Sequence, residues 1–283
     1  MKFFEKIRIH PLFWLILGIS LITAQMKQVS VIFLLVFLHE LGHALVASYY
    51  KWKIKKIELL PFGGVMETDE FGSRSLKEEN LVVLGGPLVH VVLLLGYFVG
   101  DMWFSFDSEW ANLFVKANIS LLVFNLLPIY PLDGGRLFLN LLSIPFPFIR
   151  SLRVALIFSV INLVIFFIIV MMVSPLNLPF WMVSLFLSVT LFYEWRNKAV
   201  TFMRFLLLQY YGSNQKLHSL KKIYVEKNDY VYSVFTKFYR GCKHVVVVKD
   251  DVENSLSYDE NELYYSFFSK KNTSARISDL YLE

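Results

Sequence analysis

Cysteine is nearly absent from this chain. Its one thiol, Cys242, can close no disulfide within the chain and gives a zinc site no second thiolate, so a metal bound here must rely on histidine and carboxylate. Charge is scarce as well. Only 18% of the 283 residues are charged and 56% are hydrophobic, where a soluble domain carries about 25% charged residues. With a mean hydropathy of +0.51, this composition excludes a large soluble enzyme core and describes a membrane protein. The first apolar run lacks a small-residue cleavage pattern and is followed by further runs, so no cleavable signal peptide is expected. Internal repeats and low-complexity tracts are also missing. The net charge of +5 and the basic pI near 9.1 could point to nucleic acid, but the basic residues gather in short loops between apolar runs, so no nucleic-acid partner is expected.

What is present is a series of such runs. Residues 11–26 are apolar with Pro11 placed to start a helix, and residues 29–50 form a second run interrupted by His39, Glu40 and His43. Residues 81–100 hold only His90, and residues 110–127 end at Pro128 and Pro131. Residues 154–193 carry no formal charge and turn near Pro175, Asn177 and Pro179, giving a helical hairpin. The expectation is six transmembrane helices over residues 1–195. Lys2, Lys6 and Arg8, then Lys51 to Lys56 with Arg74 and Lys77, then Arg150 and Arg153, and finally Arg196, Lys198 and Arg204 mark alternate loops as cytoplasmic, which places both termini there. Between the second and third runs, residues 54–67 read as two extended pieces joined by Pro61-Phe62-Gly63-Gly64, a membrane-associated β-hairpin. Residues 196–283 alternate short helical and strand-like pieces, a small α+β domain on the cytoplasmic side. The fold class is therefore a mainly α-helical polytopic membrane protein with that small domain appended.

Inside the second run, His39-Glu40-Leu41-Gly42-His43 is the H-E-x-x-H pattern. On a helix, positions i and i+4 share a face, so two imidazoles can hold one Zn²⁺ while Glu40 stands beside it as general base on a metal-bound water. A chance match or a pair of hydrogen-bonded core histidines would produce the same letters. Ionisable groups in an apolar span are costly without a ligand, however, and this favours the metal. Catalytic zinc takes a third protein ligand, for which Asp133 is the candidate, in the break that runs from Asn125 through Pro128 and Pro131 to Gly135. The plainer role for Asp133 is a solvent-facing helix cap. Asn125 could stabilise an oxyanion or make an interhelical hydrogen bond, Pro131 shapes the break, and His90 suits a packing or ligand-supporting role. An exposed strand edge can hold a substrate in extended form, a role assigned to the hairpin through Leu59 and Val65.

H-E-L-G-H in an apolar helix followed by N-x-x-P-x-x-P-L-D-G-G resembles the site-2 protease family of intramembrane zinc metalloproteases. Gly86-Pro87-Leu88-Val89-His90 and Arg240-Gly241-Cys242-Lys243-His244 make the chain similar to the sporulation branch of that family, whose members process pro-sigma-K. The resemblance covers nearly the whole chain. It implies one zinc per chain held by His39, His43 and Asp133, with Glu40 as the catalytic glutamate. It implies a pro-sigma factor as substrate, inhibitory membrane partner proteins, and a place in the mother-cell membrane surrounding the forespore. It also makes residues 196–283 resemble half of a cystathionine-beta-synthase-type (CBS) module, a regulatory domain that could bind ATP and, with one copy per chain, favours a homo-oligomer; a docking domain for the substrate's soluble part is the plainer alternative. From a different class, a polytopic transporter of metal ions or protons would also bury His, Glu and Asp, but transporters commonly show repeats.

Overall fold

The structure is a computed structural model and describes residues 7–9, 11–60, 63–68, 70–72, 74–104, 109–173, 178–212, 219–248, 257–270 and 274–282. The described residues are mostly helical. Three of their helices are long and apolar enough to cross a membrane: α2 (Met26–Tyr49), α3 (Leu76–Phe104) and α6 (Phe148–Val173). Large apolar side chains such as Leu95, Phe98, Ile161 and Val164 lie exposed along α3 and α6, as a lipid-facing surface requires. The other expected spans correspond to α1 (Pro11–Ile22), α4 (Glu109–Asn125) and the first part of α7 (Leu178–Tyr211). The expected hairpin turn at Pro175 and Asn177 lies outside the described residues. Residues 195 and 196, where the sequence divided, sit inside α7, which runs on through Arg196, Lys198 and Arg204 without a break.

The chain clusters into two compact units. The first holds residues 1–71, 77–137 and 162–188; the second holds 72–76, 138–161 and 189–283. In the first, α2 and α3 meet at glycines. A Cβ on Gly85 would lie 2.7 Å from the carbonyl oxygen of Gly42, so only two glycines permit this approach of the backbones. The expected hairpin is present as β2 (Ile54–Leu60) antiparallel to β3 (Gly63–Thr68), its Pro61-Phe62 turn lying outside the described residues. A third strand not read from the sequence, β1 (Ile7–Ile9), pairs parallel with β2, which makes β2 central and leaves β3 at an edge. Trp52, Ile57 and Met66 from this sheet region pack with Ala44 and Ala47 of α2, so the sheet is fastened to the helix that carries the H-E-x-x-H motif.

The second unit centres on β4 (Ser219–Val225) parallel to β5 (Cys242–Val248), with β6 (Ser257–Asp259) antiparallel on the other edge of β5. Between β4 and β5 a short helix, α8 (Val231–Phe235), supplies the helical piece. Alternate burial along β5 follows its Cys-x-His-x-Val-x-Val pattern. The ring of His244 stacks on Phe238 at 4.3 Å, and its backbone and ring N–H both reach Glu260 Oε2, at 2.8 and 2.9 Å. Burial, and secondarily the Glu260 carboxylate, push the Tyr264 phenol up, so it stays a donor to Gln209 of α7 at 3.2 Å.

Candidate metal centre

His39, Glu40 and His43 fall in the second half of α2, and each is under a tenth exposed. The helix places both imidazoles on one face, one turn apart, with Nε2 atoms 3.0 Å from each other. Asp133 is the first residue of α5 (Asp133–Leu142). Its carboxylate is turned away from solvent, with Oδ2 3.1 Å from His39 Nε2 and 3.3 Å from His43 Nε2. The solvent-facing cap considered from the sequence is therefore not what Asp133 does here. Two glycines bring it inward: a Cβ on Gly134 or Gly135 would overlap the backbone of the 126–130 loop, so α5 starts tight against the loop that precedes it.

These three atoms meet a geometric test for zinc. Four bonds of about 2.0–2.1 Å directed tetrahedrally separate neighbouring ligand atoms by about 3.3 Å, and the three separations here are 3.0, 3.1 and 3.3 Å. Hydrogen bonding alone accounts for them poorly. His43 Nδ1 lies 2.8 Å from the carbonyl oxygen of Val82; donating its proton there leaves a lone pair on Nε2, directed at a second imidazole nitrogen and a carboxylate. Neither Asp133 Oδ2 nor His39 Nδ1 finds a hydrogen-bond partner among the described residues. A cation at the centre of the three atoms resolves that conflict. The imidazoles pack directly against Gly86 of α3, where a Cβ would lie 2.5 Å from both His39 Cε1 and His43 Nε2.

Glu40 has a ligand atom within 4.8 Å of those of both histidines. Strand β3 crosses its carboxylate so closely that a Cβ on Gly64 would stand 2.7 Å from Oε1. Together these groups line a cavity of about 120 Å³ that also takes in Asn125, Pro131, His90, Phe71 and Arg136, room for a few waters. Asn125 ends α4 and returns one side-chain N–H to the carbonyl oxygen of Leu121 at 3.0 Å. His90 hydrogen bonds through Nδ1 to Asn118, and its ring centre is 5.1 Å from that of His39. Leu59 and Val65 contribute described backbone only, in central strand and edge strand respectively; their side chains lie outside the description. The sequence reading passed over Asn118, gave Arg136 no part in the site, and used the glycines only as members of its motifs. A lone asparagine in an apolar run was a usable signal for the first, while glycine contacts exist only in three dimensions.

The sequence profile of Peptidase family M50 matches residues 28–106. The chain is 39% identical over 277 residues to stage IV sporulation protein FB of Bacillus subtilis (strain 168), covering 98% of this chain and 96% of that protein. It is 33% identical over 147 residues to a zinc metalloprotease of Methanocaldococcus jannaschii, covering 50% of this chain and 42% of that one. The solved structure of the site-2 protease from Methanocaldococcus jannaschii shares its fold, with a TM-score of 0.53 at 28% identity, over 66% of this chain and 89% of that structure's chain.

Proposed function

Because this chain belongs to Peptidase family M50, the site-2 protease family of intramembrane zinc metalloproteases, we propose that it hydrolyses one peptide bond of a membrane-associated pro-protein, with Glu40 as general base. The observation that carries this reading is the convergence of His39, His43 and Asp133 on one point beside Glu40. His39, His43 and Asp133 would hold a zinc ion, which would make a water in the cavity more acidic and polarise the scissile carbonyl. Glu40 takes the proton as the water attacks and returns it to the departing amine. Val82 fixes the orientation of His43 through its carbonyl. Asn125 retains one side-chain N–H for the developing oxyanion, and Pro131 holds the loop between that residue and Asp133 against the cavity. The edge of β3 receives the substrate as an added strand across the carboxylate of Glu40.

The relative from Bacillus subtilis is named for a stage of sporulation. On that basis the substrate is a pro-sigma factor of the pro-sigma-K type, cut in the membrane around the forespore and restrained by inhibitory membrane proteins until needed. Six spans with both termini cytoplasmic put the cavity within reach of a pro-segment arriving from that side. Membership in a peptidase family withdraws support from the transporter alternative.

The test is co-expression with the pro-protein, comparing the wild type with Glu40→Gln. A shortened product from the wild type only, with about one zinc per chain retained in both, is the expected result. Equal cleavage by the two would remove Glu40 from the chemistry. For residues 196–283, equilibrium dialysis with ATP separates a nucleotide-binding half-module from a substrate-docking domain, and sedimentation of the purified protein reports whether the chain forms a homo-oligomer.

A further inference from the structure

The cavity contains a cation that the mechanism above leaves unused. Arg136 lies on α5 three residues after Asp133, on the same face of the helix, and it is the sole Lys or Arg among the described residues lining the cavity. It is half-buried. Its guanidinium carbon sits over the ring of Phe71, also a lining residue, 5.0 Å from the ring centre, so the cation rests against an aromatic surface. Among the described residues no carboxylate is within ion-pair distance of it, and no side-chain hydrogen bond occupies its five donors. Of the two acidic residues lining the cavity, Asp133 is engaged with the histidines, and Glu40 feels the charge of Arg136 without forming an ion pair with it. A guanidinium resting against an aromatic ring without a carboxylate partner is suited to a planar, bidentate acceptor.

Resting on the protease reading, we infer that Arg136 is a specificity-determining residue whose guanidinium receives the carboxylate of one acidic side chain in the substrate segment flanking the scissile bond. The contact with Phe71 keeps the guanidinium at one place in the cavity wall, so the interaction selects the position of the acidic residue as well as its charge. A lipid phosphate would satisfy the same donors, but Arg136 lines the cavity together with Glu40 rather than the exposed apolar surface of α3 and α6.

The experiment uses the full-length enzyme in vesicles and a cleavable pro-protein reporter in which Glu, Gln and Lys are placed in turn at each position flanking the cut. With the wild type, one position should favour Glu, with KM rising about ten- to a hundredfold for Gln and more for Lys, the loss associated with one charge-assisted hydrogen-bonded pair. Arg136→Gln should abolish that preference at unchanged zinc content. Arg136→Lys should retain part of it, and Arg136→Glu should turn it towards Lys. Equal KM for Glu, Gln and Lys at every position would overturn the inference even if the variants fold badly, since that scan needs only the wild type. An Arg136 effect that follows the anionic lipid content of the vesicles instead of the reporter's charge would assign the site to a headgroup and overturn it as well. Binding of the same reporters to Glu40→Gln, followed by fluorescence anisotropy, shows charge selection without cleavage. Failure of the protease reading and failure of this inference are thereby read separately.

Discussion

At the residue scale, the centre is set as much by what is missing from α3 and β3 as by the proposed ligands on α2 and α5. The motif letters placed His39, Glu40 and His43 on one helix, and the need for a third ligand pointed to Asp133 across a break in the chain. Gly86 and Gly64 carry no chemistry, and no periodicity marks them. Their importance lies in a Cβ that would meet the imidazoles or the Glu40 carboxylate. Gly86→Ala should accordingly lower zinc retention about ten- to a hundredfold although every ligand is intact, a loss typical of misoriented metal ligands. Metal analysis after dialysis against a graded chelator would read it, and full retention would show that the imidazoles have room to move. Asp133→Ala should reduce zinc content and cleavage together, whereas Glu40→Gln should reduce cleavage alone; if Asp133→Ala kept both, the third ligand would lie elsewhere.

At the element scale, the hairpin was legible because strand-like residues flank a Pro-Phe-Gly-Gly turn, and the apolar runs were legible because few charges interrupt them. The strand β1 was not, since three residues, Ile7–Ile9, are too few for a periodic pattern and find their partner some fifty positions away in β2. That pairing changes what a proline in the hairpin tests. Leu59 lies in the central strand, bonded on both sides to Ile9 and Gly64, so Leu59→Pro should disturb the sheet and lower the yield of folded protein. Val65 lies in the edge strand, and Val65→Pro should impair cleavage while zinc remains bound. Cleavage at the wild-type rate by a zinc-loaded Val65→Pro enzyme would exclude the β3 edge as the substrate's docking strand.

At the scale of the whole molecule, the sequence suggested that residues 196–283 could be detached, because composition changes sharply near Arg196 and all proposed catalytic groups precede residue 136. In the structure, contacts within the second unit tie this segment to residues 138–161. The backbone N–H of Phe148 donates to the carbonyl oxygen of Phe238 at 3.0 Å, the rings of Phe148 and Phe205 stack at 4.3 Å, and Arg240 donates to Asn140 at 2.8 Å, with both residues buried. Composition could not reveal these bonds, which join residues about 60 to 100 positions apart and depend on α7 running on without a break. Truncation after Lys198 would expose Phe148 and remove the Arg240 hydrogen bond to Asn140, so a truncated chain confounds folding with function. The point variant Arg240→Ala is the better probe of the tail. A hydrogen bond to a charged group contributes about 1.5–3 kcal/mol, enough to loosen the attachment without removing the β4–β5–β6 sheet. If the tail governs access by holding the soluble body of the pro-protein near the cavity, Arg240→Ala should slow cleavage of the full-length pro-protein several-fold, leave a short peptide spanning the cut unaffected, and retain zinc. Equal slowing of both substrates would show that the bond supports the catalytic centre itself, and unchanged cleavage of the pro-protein would end the access reading.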